Sequence, residues 1–162
     1  MANEKQNETP FQDPLENYDP PTFDDPIEQA LHEETVMAIQ SRPYACVPID
    51  TTVQEVLQTL VGEGIACVLI ENQGKLVGLV SDRDILEKVA LEYDDLKDKS
   101  VQEVMTASPV YVDESDSAAS ALAVMAVSGY RHVPVVDGDE NIVGIVSPQR
   151  VTKFLRKCMD DQ

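Results

Sequence analysis

The chain has 162 residues, of which 43% are apolar and 5% aromatic, and its formal net charge is −18. That length supports one compact domain or one tightly packed pair of small units. A surface this acidic repels polyphosphate backbones and anionic headgroups, so nucleic acid and membranes are excluded as expected partners. Because no apolar run approaches the length of a spanning helix and the first residues lack a secretory pattern, a cytoplasmic protein is expected.

The three cysteines, Cys46, Cys67 and Cys158, are widely spaced and odd in number. They have neither the spacing of metal ligands nor that of a disulfide framework. Cys46 and Cys67 lie in apolar runs, which predicts that both are small buried hydrophobic side chains. The sequence therefore predicts no metal site and favours a reducing compartment.

Residues 1–34 are acidic and rich in proline. They hold five of the ten prolines and ten acidic residues against one base, Lys5. Few side chains there could bury enough apolar area to offset the entropy of ordering, which predicts an extended or disordered arm. Four apolar side chains recur within the arm and could anchor it in a neighbour's groove, and a loose tail is the alternative. A short helix is expected to begin near Pro26 and to run through Leu31.

Most of the remaining chain consists of two similar copies of one segment. The stretch GKLVGLVSDRDIL, which ends at Leu86, returns 66 residues later as ENIVGIVSPQRVT. A period of this length indicates two copies of one unit, and a unit so short seldom buries a core alone. The copies are therefore predicted to pack together, as repeat 1 over residues 35–98 and repeat 2 over residues 99–162.

Each copy predicts the same order of elements. A short helix or turn, TVMAI or VQEVM, precedes a brief strand, YACVPI or PVYV. The next helix of repeat 1 follows the capping residues Asp50–Thr52. Its apolar residues have helical spacing, at Val53, Val56, Leu57, Leu60 and Val61. The second copy of this helix, Ser117 to Val127, is rich in alanine, which suits a helix–helix or subunit contact or simply reflects high helix propensity.

Two apolar runs come next in each copy, ACVLI and LVGLV in the first, HVPVV and IVGIV in the second. Runs of about five residues, rich in β-branched side chains and joined by turn-forming residues, predict hairpins. A final helix leaves each hairpin, with the sequences DILEKVALEY and QRVTKFLRKCM. The unit is therefore β-α-β-β-α, and the predicted fold class is mixed α/β (α+β).

The segment Gly78–Asp84 lies between the hairpin and the final helix of repeat 1. Ser81 and Asp84 have the spacing of a capping box, and capping the helix is one interpretation. The other is ligand binding, since a carboxylate at the start of a helix can accept two hydrogen bonds from a diol such as ribose. Arg83 and the helix N-terminus could then face a phosphate. No catalytic motif accompanies these residues, so an enzyme is not expected.

The segments Gly78–Asp84 and Arg131–Asp137 (RHVPVVD) resemble cystathionine-β-synthase-type (CBS) motifs, and the resemblance covers roughly residues 35–158. It implies a tandem CBS pair, also called a Bateman module, whose repeats pack with pseudo-twofold symmetry. Such pairs resemble regulatory sensors that bind AMP, ADP, ATP or S-adenosylmethionine between the repeats and commonly form homodimers. The effector would be a separate, unknown protein. The alternative is a structural or dimerisation protein with vestigial clefts that bind nothing.

The resemblance also implies a binding cleft that crosses between the copies. Asp84 would hold the ribose hydroxyls with Ser81 beside it, and the start of the second copy would line the adenine. The segment Tyr130–His132 would add an apolar wall and cations that face the phosphate. The expected ligand-binding residues are Ser81, Arg83, Asp84, Pro109, Val110, Tyr111, Tyr130, Arg131 and His132.

The symmetry-related cleft is predicted to bind poorly. Asp84 corresponds to Arg150, and Arg131–His132 correspond to Ile65–Ala66, so the ribose acceptor and the phosphate-facing cations are both replaced. Arg150 would fill that cleft or bind a carboxylate. The sequence thus predicts one nucleotide per chain. Taken singly, Arg131 also fits a surface ion-pair residue and His132 an ordinary strand residue.

Overall fold

The structure of the chain, a computed structural model, describes residues 21–40 and 42–160. The predicted arm lies outside the described residues up to residue 20. The α-helices are α1 Pro26–Glu33, α2 Val53–Glu63, α3 Asp82–Asp84, α4 Tyr93–Leu96, α5 Ala118–Ser128 and α6 Pro148–Asp160. The strands are β1 Cys46–Pro48, β2 Cys67–Asn72, β3 Lys75–Ser81, β4 Thr106–Ala107, β5 Val112–Asp113, β6 Val133–Val136 and β7 Ile142–Val146. Shorter helical segments are the 3₁₀ turns Val36–Ala38 and Val101–Glu103 and the π-helical segment Ile85–Val89.

The strands form two small sheets, each built around one predicted hairpin. In the first sheet β1 is parallel to β2, β3 is antiparallel to β2, and β4 is antiparallel to β3. In the second sheet β5 is parallel to β6, and β7 is antiparallel to β6. Both hairpins, β2–β3 and β6–β7, confirm the predictions made from the paired apolar runs. The mixed α/β class is confirmed with them.

Helix α2 begins where its cap predicts. The Thr52 hydroxyl accepts from the Glu55 N–H at 3.3 Å, and the Glu55 carboxylate accepts from the Thr52 N–H at 2.9 Å. Val53 is buried, as its place in the apolar stripe predicts. Val61 was predicted on the same stripe but is 75% exposed. Eight residues carry Val61 about 80° around the helix from Val53, beyond the face that meets the sheet.

Three clusters of buried apolar side chains form the core of the described residues. The cluster of repeat 1 contains Val53, Val56, Leu60, Val68, Ile70, Val80, Val89, Val101 and Val104. The cluster of repeat 2 contains Val36, Ile39, Val112, Ala118, Ala121, Val133, Val135, Val146 and Phe154. A third cluster joins the repeats and contains Cys67, Leu69, Leu79 and Ile145. Since this cluster draws on β2, β3 and β7, the two sheets bury apolar side chains against each other.

The first turn of each sequence repeat packs against the other repeat. The turn Val36–Ala38 begins repeat 1, yet the Val36 N–H donates to the Asp116 carbonyl of repeat 2 at 2.8 Å. The turn Val101–Glu103 begins repeat 2, yet its first N–H donates to the Thr51 carbonyl of repeat 1 at 2.8 Å. The two packed units therefore exchange their first turns. The division into repeat 1 at residues 35–98 and repeat 2 at residues 99–162 describes the copies in the sequence, and as a division into domains it stays a prediction.

Helix α1 confirms the short helix predicted from Pro26 onward. It extends to Glu33, and the Asp25 side chain caps it by accepting from the Ile27 N–H at 2.8 Å. Leu31 packs against the core of repeat 2. The end of the acidic arm is therefore a helix attached to the second packed unit.

Two predicted elements of the chain differ in the structure. The final helix of repeat 1 was predicted as one continuous helix, but after α3 it widens into the π-helical segment Ile85–Val89, where the Ala90 N–H donates to the Ile85 carbonyl at 2.9 Å. The strand predicted from PVYV begins only at Val112. Pro109 has no N–H to offer a strand ladder, so the pairing starts after it.

Candidate functional site

A cleft of about 510 Å³ lies beside the start of α3, where Tyr130–His132 of repeat 2 approach the hairpin of repeat 1. It brings together six of the nine predicted ligand residues, namely Ser81, Arg83, Asp84, Tyr130, Arg131 and His132. The other three, Pro109, Val110 and Tyr111, are not among the described residues that line it. Pro109 is buried, while Val110 and Tyr111 are each 46% exposed.

Asp84 is the most enclosed acid of this cleft. It is 7% exposed, and among residues 21–40 and 42–160 it is the one charged residue that is buried. Its Oδ2 accepts from the Ser81 N–H at 2.9 Å and from the Ser81 hydroxyl at 2.8 Å. Its own N–H donates to the Ser81 hydroxyl at 3.4 Å, which completes a capping box. The capping interpretation of these two residues is therefore confirmed, whatever else the carboxylate binds.

The other oxygen of Asp84 binds two residues that the sequence reasoning missed. Oδ1 accepts from the Lys88 ammonium at 2.7 Å and from the Thr106 hydroxyl at 2.9 Å. The ammonium also donates to the Val104 carbonyl at 2.9 Å. Lys88 follows Asp84 by four residues, a spacing that favours helical ion pairs and could have indicated the contact. Thr106 comes from β4, which the sequence did not predict.

Four donors therefore set the ionisation of Asp84. Burial alone would raise its pKa, but the hydrogen bonds from Lys88, Ser81 and Thr106 outweigh burial and lower the pKa below its usual value. The carboxylate is accordingly ionised at neutral pH. An ionised carboxylate at the mouth of a cleft is a strong acceptor for hydroxyl groups.

The basic residues of the cleft differ in their surroundings. Arg83 forms an exposed ion pair with Glu87, with Nε and Oε1 2.9 Å apart. His132 is enclosed, and its burial lowers its pKa, a shift that the nearby Asp82 opposes and that Arg131 reinforces. The imidazole is therefore mainly neutral at pH 7.

A second cleft of about 820 Å³ lies around the corresponding motif of repeat 2. Ser147, Ile65 and Ala66 line it, as the repeat alignment predicts. Arg150 does not line it among the described residues and instead faces a groove of about 270 Å³ that also contains Glu34. The expectation that Arg150 fills this cleft is therefore wrong, because Arg150 lies on the side of α6 that faces the turn Val36–Ala38. The alternative, that Arg150 binds a carboxylate, stays a prediction.

The two clefts share one wall. Asp82, Arg131 and His132 line both of them. Arg131 and His132, which the alignment assigned to the first cleft, therefore also border the second, and the expectation that the second cleft lacks them is wrong.

Two further features restrict the kinds of site present in residues 21–40 and 42–160. No helix there combines the length and the apolar character needed to cross a bilayer. Within the same ranges, no group of three or more His, Cys, Asp or Glu side chains is arranged to hold a metal ion.

The sequence profile of the CBS domain matches the chain twice, over residues 36–91 and 101–157. The chain belongs to the CBS-domain family. Solved structures of CBS-domain proteins have the same fold. The structure of CBSX2 in complex with AMP has a TM-score of 0.67 and 27% sequence identity, and the match covers 80% of this chain and 99% of CBSX2.

Another CBS pair of known structure is that of protein MJ0100 in complex with 5′-methylthioadenosine and S-adenosyl-L-methionine. Its TM-score is 0.67 at 25% identity, and the match covers 76% of this chain and 96% of that one. Among curated proteins, the CBS domain-containing protein CBSCBSPB5 of Arabidopsis thaliana is 33% identical over 111 residues. These are 68% of this chain but only 20% of the Arabidopsis protein, so the chain spans about a fifth of that relative.

Proposed function

We propose that this CBS pair is a regulatory module that senses an adenosine-containing ligand, either AMP, ADP, ATP or S-adenosylmethionine. The binding site is the cleft around Asp84. One observation carries the proposal, namely that a carboxylate only 7% exposed lines a cleft of about 510 Å³ together with Arg131 and His132 of the other repeat. A cleft of this size suits a small ligand.

The residues of this cleft supply the chemistry that a nucleotide needs. The Asp84 carboxylate accepts the ribose hydroxyls, since an ionised carboxylate can accept several hydrogen bonds. Arg83 and Arg131 supply positive charge for a phosphate or a carboxylate of the ligand. Tyr130 adds an aromatic wall. The adenine is assigned to the side of residues 109–111, which follow the cleft residue Thr106 closely in the chain.

Known complexes of relatives support this choice of ligand class. CBSX2 was crystallised with AMP, and the CBS pair of MJ0100 with 5′-methylthioadenosine and S-adenosyl-L-methionine. All three ligands contain adenosine. A ribose contact at Asp84 would serve any of them, which is why the class of ligand is proposed and not its phosphate count.

The second cleft is proposed to lack a ribose site. Its counterpart of Asp84 is Arg150, which faces the groove beside Glu34. A cation in place of the carboxylate offers no acceptor to a diol. The proposal is therefore one adenosine ligand per chain.

Binding is proposed to act on a separate protein without catalysis. A ligand changes a conformational equilibrium only by its different affinity for the two states. The exchanged first turns link the two repeats, so a ligand between the repeats is well placed to alter their packing. The effector is then a protein that binds only one of the two conformational states. A cytoplasmic location fits an adenosine-containing ligand.

A homodimer is part of the proposal. Val61 on α2 and Val127 on α5 occupy corresponding positions in the two repeats and are 75% and 89% exposed. Helix α5 also exposes Ala123 and Ala126 on its surface. Small and apolar side chains on two related helices suit a contact with the same helices of a second copy.

The test is a thermal-shift panel of AMP, ADP, ATP, S-adenosylmethionine and NAD on the wild-type chain. A ligand at about 100 times its dissociation constant stabilises the folded state by about 2.7 kcal/mol. The melting temperature should then rise by roughly 5–10 °C. The Asp84→Ala variant should lose most of that rise, because it lacks the ribose acceptor.

The matched control is Arg150→Ala, which alters the equivalent position of repeat 2 and should keep the shift. Absence of a shift with all five ligands would reject the sensor and leave the scaffold with vestigial clefts. A shift that persists in Asp84→Ala would place the ligand outside the cleft around Asp84.

A further inference from the structure

The Asp84 carboxylate already has a full set of hydrogen-bond partners inside the protein. A carboxylate offers about four lone-pair sites. Four donor atoms occupy them at 2.7–2.9 Å, two from Ser81, one from Lys88 and one from Thr106. A ribose hydroxyl that donates to this carboxylate must therefore displace one of the four.

The four donors differ in how easily they can leave. The two groups of Ser81 belong to the capping box, and its backbone N–H is fixed at the end of β3. Thr106 is held in β4, which pairs with β3. Lys88 is different, because its side chain is 39% exposed and its ammonium has a second acceptor in the Val104 carbonyl at 2.9 Å. A flexible, partly hydrated ammonium is the donor that can move away most readily.

We propose that Lys88 competes with the ribose diol for Asp84 and so sets the affinity of this cleft for nucleosides. The proposal rests on the function proposed above and adds a residue that regulates the same site. In the ligand-free chain the ammonium neutralises the buried carboxylate. On binding, a ribose hydroxyl takes its place on Oδ1, and the ammonium turns towards solvent while it keeps or gives up the Val104 carbonyl.

The competition predicts that removing the ammonium strengthens the diol contact. Lys88→Met keeps the aliphatic stem and removes the charge and the donor. The experiment measures the dissociation constants of AMP and of 2′,3′-dideoxy-AMP by titration calorimetry. Dideoxy-AMP lacks both hydroxyls but keeps the phosphate and the adenine. Any loss of attraction between Lys88 and the phosphate affects both ligands equally. The ratio of the two dissociation constants therefore measures the contribution of the ribose hydroxyls alone.

The ratio of the dideoxy-AMP constant to the AMP constant should rise by about fivefold to tenfold in Lys88→Met, as expected for the loss of one competing charged hydrogen bond. Lys97→Met is the matched control, because Lys97 pairs with Asp94 at 3.0 Å and does not line the cleft in the described chain. Its ratio should equal that of the wild type. Lys88→Gln, which is uncharged and shorter, repeats the test should the methionine variant fail to fold.

An unchanged or lower ratio, with AMP still bound, would overturn the role of Lys88 and leave the proposed function intact. If neither the wild type nor the Lys88 variants bind AMP or any other adenosine ligand of the thermal panel, the proposed function fails and the competition fails with it. A rise of the same size in Lys97→Met would also overturn the proposal, since it would show an effect of net charge.

Discussion

Replacing Asp84 by alanine should destabilise the ligand-free chain measurably. The substitution removes the acceptor of four hydrogen bonds, of which one, from the Ser81 N–H, is half of the capping box. It leaves the Lys88 ammonium with the Val104 carbonyl and leaves the Thr106 hydroxyl without its carboxylate partner. The lost hydrogen bonds lie at the start of α3 and between α3 and β4.

The size of the effect follows from these contacts. Loss of the two hydrogen bonds that the carboxylate accepts from Ser81 costs about 1 kcal/mol. The ion pair with Lys88 adds about 1 kcal/mol at most, because the lysine side chain is 39% exposed and solvent screens the pair. The Thr106 bond adds about 1 kcal/mol, and relief of the buried charge offsets part of the sum. The free energy of unfolding should fall by about 2 kcal/mol, or the melting temperature by about 4–8 °C.

The assay is equilibrium urea unfolding of the wild type and Asp84→Ala, followed by circular dichroism from pH 7 to pH 3. The pKa of Asp84 is lowered in the folded chain, so its stabilisation is fully present above the unfolded-state pKa of about 3.9. That stabilisation is lost as the pH falls through the lower folded-state pKa. The difference between the two variants should therefore begin to shrink below about pH 4 and continue to shrink as the pH falls. A difference under about 0.5 kcal/mol at pH 7, or one that does not decrease between pH 4 and pH 3, would refute the reasoning.

Three other predictions concern thiols, association and packing. Burial raises the pKa of Cys46 to about 11 and that of Cys67 to about 12, so both thiols should resist alkylation at pH 8 in the folded chain and react after unfolding, as mass spectrometry would record. Val61→Asp combined with Val127→Asp should convert the proposed dimer to a monomer in sedimentation velocity, whereas an unchanged sedimentation coefficient would exclude these helices from the contact. Gly78→Ala should cost about 1–3 kcal/mol in urea unfolding, because the added methyl group would clash with the Met105 side chain and lie 3.1 Å from the Thr106 carbonyl oxygen of β4.

Local patterns of the sequence predicted the hairpins and the cap of α2 correctly. The alternation of apolar runs with turn-forming residues is enough to define β2–β3 and β6–β7, since both partners of a hairpin are neighbours in the chain. The cap at Thr52 is likewise a contact between residues three apart. Hairpins and helix caps of this kind depend on residues close together in the chain, so a local sequence pattern is enough to predict them.

Contacts between distant residues were not predictable in the same way. Thr106 meets Asp84 across 22 residues, through a two-residue strand that carries no periodic signal. The exchange of the first turns also left no trace in the repeat alignment. Similarity between the copies indicates that the segments TVMAI and VQEVM are equivalent, but it does not indicate which of the two cores each segment joins. That choice depends on the geometry of the chain between the packed units.

The exchanged turns have a consequence for how this chain can be divided. A cut at the predicted boundary after residue 98 would separate Val101 and Val104 from the core that buries them, and Val36 and Ile39 from theirs. Each fragment would then carry the segment that completes the other. Neither half should fold when expressed alone, while the two fragments mixed together should reassemble. The pair is thus a single folding unit, although its sequence reads as two.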